Sequence, residues 1–113
     1  MKDLIILKIG GSVITDKFSQ IPKINPENLK RISKEISSVY NKEKMSLIIV
    51  HGAGSYGHVI VSKTSIDKGI KTENQIKAFA ETQRLQNELN CIVTKYLIEE
   101  DVPAIPCKHQ PLL

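Results

Sequence analysis

The sequence of 113 residues is long enough for one ordinary domain or for part of a larger one. A hydrophobic content of 41% and a charged content of 25% are typical of a soluble globular protein, which excludes the disordered and collagen-like classes. The net charge of +4 is spread along the chain and aromatic residues make up only 4%, so we expect no nucleic-acid surface.

The first predicted element is a strand from Asp3 to Ile9, because this run is almost continuously apolar and ends at Gly10-Gly11-Ser12. Such a strand should lie centrally in a parallel sheet.

The Leu4 to Leu7 run is too short for a signal peptide, and no stretch approaches the ~20 apolar residues that span a bilayer. We therefore expect a cytoplasmic protein that makes no membrane contact. The segment from Thr15 to Ile24 is polar and is predicted to be a loop.

A helix is predicted from Asn25 to about Asn41, since Asn25 can cap the first amides and Pro26 suits the first turn. Its apolar stripe consists of Leu29, Ile32, Ile36, Val39 and Tyr40. A second buried strand, Ser46 to Val50, runs into a glycine-rich turn that ends at His58. Because two strands joined by a helix form a right-handed βαβ unit, both glycine turns should lie at one edge of the sheet.

The rest of the chain predicts a loop or broken turn between Ser62 and Lys71, followed by a long helix. Thr72 and Gln75 have the spacing of a capping box at its start. The inner side of this helix is predicted to carry Ile76, Phe79, Ala80, Leu85, Leu89, Ile92, Val93, Tyr96 and Leu97. The segment Val102 to Pro106 is interpreted as a short third strand. No closing element follows, which suggests a domain cut before its sheet is finished.

Two cysteines, Cys91 and Cys107, show no metal-ligand spacing and no disulfide framework. We interpret both as reduced packing residues and predict no metal site built by this chain.

The first turn, Lys8-Ile9-Gly10-Gly11-Ser12, has the components of a phosphate site. Glycines let backbone amides approach an anion, and a lysine neutralises charge on a phosphoryl group. The turn matches neither of the common glycine-rich nucleotide motifs, so a simple tight turn is an alternative. The second turn, His51-Gly52-Ala53-Gly54, favours the phosphate site because it should meet the first at one edge.

These residues resemble the amino acid kinase superfamily, whose members share a Lys-x-Gly-Gly-Ser-like first turn and a glycine-rich second turn. The string Val50 to His58 is similar to the isopentenyl phosphate kinase branch, which follows its glycines with an aromatic residue, a glycine and a histidine. The resemblance implies an α/β fold, a three-layer αβα sandwich with a mainly parallel sheet. Residues 1–113 would be its N-terminal, phosphate-acceptor part, with the C-terminal nucleotide-binding part absent.

The resemblance also implies an activity, the ATP-dependent phosphorylation of isopentenyl phosphate to isopentenyl diphosphate, with Mg²⁺ accompanying ATP. It implies a homodimer for the full-length family. Three interpretations of this chain stay open: a truncated gene product, one part of a split enzyme whose companion chain supplies the C-terminal half, or a fragment of a larger protein. Two alternatives remain open. One is a related kinase with an amino acid or phosphonate acceptor, and the other is a non-catalytic binding or assembly module.

The resemblance assigns roles residue by residue. Residues expected at the ATP phosphates are Lys8, Gly10, Gly11, Ser12 and Gly54. Residues expected to act in catalysis are Lys8, Lys17 and His58. Residues expected at the acceptor are Ala53, Gly54, His58, Phe79 and Thr82, the last two lining a prenyl pocket.

Several of these residues have plainer alternatives. His58 could cap its own helix, Lys17 could be a solvated loop lysine, and Phe79 could belong to the core. Ala53 stands where many relatives have a third glycine, and a positive backbone dihedral there would cost about 1 kcal/mol or more. His51 is interpreted as a structural residue that orders its turn.

Overall fold

The structure, a computed structural model, describes residues 2–64 and 68–107. The elements in chain order are β1 (Asp3–Ile9), α1 (Gly11–Ile14), α2 (Pro26–Val39), β2 (Met45–His51), α3 (Ser55–Thr64) and α4 (Glu73–Glu99).

The two strands pair in parallel, with a register that runs from Asp3 opposite Met45 to Ile9 opposite His51. The Gly52 amide continues the ladder by donating to the Ile9 carbonyl at 3.2 Å. Both strands therefore end at one edge of the sheet, as the βαβ argument predicted.

The inner face of the sheet packs against α2 and α4 in part, since Ile5 and Leu7 of β1 on that face are 41% and 36% exposed. Ile9 of β1 is buried there, and Leu47 and Ile49 of β2 pack on the same cluster as Leu29 of α2 and Leu89 of α4. Leu89 is fully buried. This cluster is the hydrophobic core of the described residues and holds the two helices against the strand pair.

The outer face of the sheet is open. Leu4 and Ile6 of β1 are 63% and 64% exposed. On β2, Ile48, which pairs with Ile6, is 49% exposed, and Val50, which pairs with Lys8, is 46% exposed. Among residues 2–64 and 68–107, the fold thus supplies one helical layer and one sheet layer of the expected three-layer sandwich.

Helix α2 begins as predicted. The Asn25 side chain accepts a hydrogen bond from the Asn28 amide at 3.1 Å, and Pro26 occupies the first turn. The helix ends at Val39, two residues before the predicted end.

Replacing the cap tests its contribution to stability. Asn25→Ala should lower the free energy of unfolding by about 1 kcal/mol, because it leaves the Asn28 amide without its side-chain acceptor. Asn25→Asp keeps an acceptor oxygen and should unfold near the wild-type denaturant concentration. Equal losses in the two variants, measured by urea titration of the helical circular dichroism signal, would contradict the capping role.

Helix α4 confirms the capping box. The Gln75 amide donates to the Thr72 hydroxyl at 3.2 Å, and the Thr72 amide donates to the Gln75 side-chain oxygen at 3.2 Å. Despite its 27 residues, α4 is not apolar enough to cross a membrane, and neither is any other helix in the described ranges.

The predicted third strand, Val102 to Pro106, is wrong: the segment is irregular. The Val102 amide donates back to the Leu97 carbonyl at 3.0 Å, and the Ala104 amide donates to the Val102 carbonyl at 2.8 Å. Pro103 and Pro106 have no amide hydrogen. The donors that a strand needs are therefore used locally or missing.

Two smaller expectations also changed. Helix α3 extends to Thr64, into the predicted 62–71 loop, while 65–67 and the 108–113 end lie outside the described residues. Cys91 and Cys107 are free thiols, but both are exposed, so their interpretation as packing residues is wrong.

Candidate active site

The two glycine turns touch through their backbones. A methyl group built on Gly11 would overlap the Gly54 nitrogen and lie 2.8 Å from the Gly52 carbonyl carbon. One built on Gly54 would overlap the Thr15 hydroxyl and lie 2.5 Å from the Gly11 oxygen. The turns predicted to meet at one edge thus form one continuous backbone surface.

The positive backbone dihedral of the second turn falls on Gly54, with φ of 52°, and not on Ala53. Gly54 is the residue type that tolerates this conformation. Ala53 keeps ordinary geometry, so the alanine in place of a third glycine carries no backbone strain.

The first turn presents amides at the end of β1. Gly10 precedes α1 in an extended conformation, and the first-turn amides of Gly11 and Ser12 have no intrahelical carbonyl within reach. Ser12 and Lys8 are exposed. Lys8 pairs with Val50 of β2, which places it on the outer face of the sheet close to the turn. Amide donors and an ammonium group thus share this edge.

Lys17 lies on the segment between α1 and α2. A bridge between Thr15 and Ile24 closes this segment, and the Asp16 amide donates to the Lys23 carbonyl at 2.8 Å. The exposed Lys17 ammonium lies 5.1 Å from the centre of the Phe18 ring. An open cleft of about 650 Å³ between the first turn and the start of α2 is lined by Lys17 together with Ser12.

His51 at the start of the second turn and His58, which follows that turn in α3, occupy different environments. His58 stands in the first turn of α3, where its amide donates to the Gly54 carbonyl at 3.1 Å and its side chain is exposed. His51 is half-buried, and its ring nitrogens lie 2.9 Å from the Gly52 oxygen and 3.0 Å from the Asn90 side-chain oxygen. His51 therefore ties the second turn to α4, which confirms its structural interpretation.

The proposed prenyl-pocket residues lie on α4. Phe79 is half-buried, and Thr82 is buried with its hydroxyl donating to the Ala78 carbonyl at 2.8 Å. The Thr82 hydroxyl is therefore engaged within its own helix. An apolar cavity of about 340 Å³ between β2, α4 and the segment after α4 is lined by neither residue.

The charged side chains beside Thr82 form ion pairs within α4, one guanidinium with two carboxylates. Arg84 donates to both carboxylate oxygens of Glu81, at 2.8 and 2.5 Å, and to Glu88 at 3.1 Å. The hydrogen bond from Arg84 lowers the pKa of the Glu81 carboxyl. On the neighbouring α3, burial raises the pKa of the Tyr56 hydroxyl, and the Glu88 charge raises it further. One guanidinium thus pairs with two carboxylates, which leaves this surface of α4 with a formal negative charge.

Sequence reasoning missed Thr15 and Ser55, whose side chains are almost completely buried at 1% and 0% exposure. They adjoin the first and second turns. Small hydroxyl residues beside glycine turns were the available signal, but their partners are 40 and 32 residues away in sequence and only the structure identifies them.

Residues 3–113 match the sequence model of a known family, described as the amino acid kinase family. The chain belongs to the amino acid kinase family. This places the open strand pair, its helices and its two glycine turns in the α/β fold that the resemblance implied, and it confirms that resemblance.

Among members of the amino acid kinase family, the chain is similar to proteins named isopentenyl phosphate kinase. It is 43% identical over 106 residues to one from Methanothermobacter thermautotrophicus, covering 90% of this chain and 39% of that protein. It is 40% identical over 111 residues to one from Methanocaldococcus jannaschii, covering 90% of this chain and 42% of that protein.

The chain is also similar to solved structures of isopentenyl phosphate kinases. A structure described as an isopentenyl phosphate kinase superposes with a TM-score of 0.77 at 42% identity, covering 90% of this chain and 42% of that one. The Thermoplasma acidophilum isopentenyl phosphate kinase product complex gives a TM-score of 0.71 at 30% identity, covering 88% of this chain and 40% of that one. The chain therefore spans about two fifths of the length of the relatives it matches.

Proposed function

We propose that this chain, completed by the C-terminal portion that its relatives possess, transfers the γ-phosphoryl group of ATP to isopentenyl phosphate. The observation that carries the proposal is the backbone contact of Gly11 with Gly52 and Gly54, which joins both phosphate-type turns into one surface. The names of the relatives support the choice of acceptor.

In the proposed reaction an oxygen of the acceptor phosphate bonds to the γ-phosphorus while the bond from that phosphorus to the ADP oxygen breaks. Such transfer depends on alignment and charge neutralisation. The amides of Gly10, Gly11 and Ser12 would hold the ATP phosphates. Lys8 and Lys17 would neutralise the charge that develops on the transferring group.

The second turn would hold the acceptor. The Ala53 and Gly54 amides lie where the two turns meet, and the exposed His58 imidazole can donate a hydrogen bond to an acceptor phosphate oxygen as its charge grows. Phe79 and Thr82 remain candidates for the prenyl chain.

Mg²⁺ would neutralise charge on the bound ATP phosphates. No three His, Cys, Asp or Glu side chains come together to hold a metal in the described ranges. Residues 2–64 and 68–107 do not build such a site by themselves.

We further propose that the completing polypeptide covers the outer face of the sheet. This face presents Leu4, Ile6, Ile48 and Val50 to solvent. Contiguous exposed apolar side chains of this kind mark an interaction surface. The relatives contain more than half of their length beyond the matched part, which is enough chain to supply the missing layer. A cytoplasmic location and a homodimer of the completed protein remain expectations.

The activity is tested by producing the chain together with the C-terminal portion of the Methanothermobacter relative and supplying ATP with a panel of acceptors. Isopentenyl diphosphate, detected by phosphorus NMR, should form from isopentenyl phosphate and exceed any product from glutamate, aspartate or a phosphonate. Turnover of one of those acceptors alone would favour the related kinase. Binding of ATP without turnover of any acceptor would favour a non-catalytic module.

The covering of the outer face has its own prediction. Ile6→Asp should abolish co-purification with the C-terminal portion, because a carboxylate would be desolvated at the apolar contact. Ile98→Asp, at a residue 53% exposed on α4, is the matched control and should co-purify normally. Self-association of the isolated chain through the same face, lost in Ile6→Asp and unaffected by the C-terminal portion, would instead show that a second copy covers it.

A further inference from the structure

Two buried hydroxyl groups connect three parts of the site. The Thr15 hydroxyl donates to the Gly11 carbonyl at 2.7 Å and accepts from the Ser55 amide at 3.1 Å. The Ser55 hydroxyl accepts from the Lys23 amide and donates to the Lys23 carbonyl, both at 3.1 Å. Each hydroxyl thus uses its single proton and accepts one hydrogen bond.

These bonds connect the second turn to the segment that carries Lys17. Ser55 is the first residue of α3, so its amide has no partner inside the helix, and Thr15 supplies one. The Lys23 carbonyl that Ser55 contacts also accepts from the Asp16 amide at 2.8 Å. Asp16 precedes Lys17 directly. A continuous chain of hydrogen bonds therefore runs from the start of α3 to the residue before Lys17.

We infer that Thr15 and Ser55 are positioning residues, a hydroxyl clamp that fixes the Lys17 segment relative to the turn that bears His58. Lys17 itself is exposed and its ammonium lies 5.1 Å from the centre of the neighbouring Phe18 ring, so its location follows from the backbone of the segment that the clamp holds. Thr15 and Ser55 are 1% and 0% exposed, so their hydroxyls bond to protein groups and not to bulk solvent. The inference deepens the proposed function and rests on it, because it concerns where Lys17 meets the transferring phosphoryl group.

The clamp makes a kinetic prediction. In the protein completed by the C-terminal portion, Ser55→Ala should lower kcat about ten- to a hundred-fold with little change in KM, because misplacement of a catalytic group affects the transition state more than ground-state binding. Ser38→Ala is the matched control, since its exposed hydroxyl bonds only to the Glu35 carbonyl of its own helix. That control should retain full turnover.

A double substitution separates positioning from a general loss of structure. If the clamp acts through Lys17, Ser55→Ala should slow turnover no further once Lys17→Ala is present. Equal fold losses with and without Lys17 would overturn the inference. Thr15→Ser, which keeps the hydroxyl, should restore most of the kcat that the isosteric Thr15→Val loses, and equal losses in that pair would also overturn it.

A readout without turnover distinguishes failure of the clamp from failure of the proposed function. Amide hydrogen exchange at Lys23 and Asp16 should accelerate at least ten-fold in Ser55→Ala, while exchange within α2 stays unchanged. If this occurs in a protein that phosphorylates no acceptor, the clamp stands and the proposed function fails. Unchanged exchange at Lys23 would overturn the clamp whatever the activity.

Discussion

Gly11→Ala is expected to lower the free energy of unfolding by about 3 kcal/mol or more, near the upper end of the range for overpacking. The added methyl group would meet three backbone atoms: the Gly54 nitrogen, the Gly52 carbonyl carbon at 2.8 Å and the Ala53 nitrogen at 2.9 Å. Backbone atoms cannot rotate away as a side chain can. One turn must therefore separate from the other, and the end of the β1–β2 ladder must distort with it. Urea unfolding followed by circular dichroism measures the loss.

Gly10→Ala is the matched control for this prediction. Gly10 has φ of −65°, which any residue adopts, and a methyl group there would lie 3.6 Å from the nearest Val13 side-chain carbon. Its stability should stay within about 0.5 kcal/mol of wild type. Similar unfolding midpoints for the two variants would show that the turns do not interlock. Failure of Gly10→Ala to bind ATP in a stably folded protein would support the phosphate role of the first turn.

The parts of the fold that the sequence predicted well depend on local patterns. The apolar run of β1, the Asn25 cap and the Thr72–Gln75 capping box each involve residues close in sequence, so their physics is visible without the rest of the fold. The shared edge of the two turns followed from the parallel pairing of the strands in a βαβ unit, which places their carboxyl ends together.

The two predictions that were wrong, the third strand and the burial of the cysteines, depend on contacts that the local sequence pattern does not reveal. Val102 to Pro106 has strand-like composition, but the Val102 amide bonds back to Leu97 of α4 and the Ala104 amide bonds to the Val102 carbonyl. Cys91 has apolar neighbours in sequence and yet faces solvent. In both cases the outcome depends on which surface the segment meets, and that is decided by tertiary packing.

The site was predictable at the level of turns and less so at the level of atoms. Lys8, the glycines and His58 were assigned to phosphate binding from their chemistry at strand ends and from the family resemblance, and these roles stay predictions. The interlock of Gly11 with Gly54 and the Thr15–Ser55 hydrogen bonds join residues about forty positions apart, and nothing in their local sequence specifies the contact.

His58→Ala should reduce kcat for isopentenyl phosphate by about 10²–10³, the range seen when one donor to a developing anion is removed. The side chain is exposed on the first turn of α3, so its removal leaves the core intact, and the unfolding midpoint should not change. His58→Gln retains an N–H donor and should recover part of the lost rate. The measurement is single-turnover formation of isopentenyl diphosphate by the completed protein at saturating ATP.

His51→Ala should show the opposite pattern, a loss of stability with a smaller loss of rate. The comparison of the two variants therefore separates a catalytic histidine from a structural one. His51 bonds the Gly52 carbonyl and the Asn90 side chain, so its loss should lower the free energy of unfolding by about 1–3 kcal/mol. Its effect on kcat should be smaller than that of His58→Ala. If His58→Ala instead lowered stability and left the single-turnover rate unchanged, His58 would be a structural residue of α3. The acceptor phosphate would then have to be held by the glycine amides and the lysines alone.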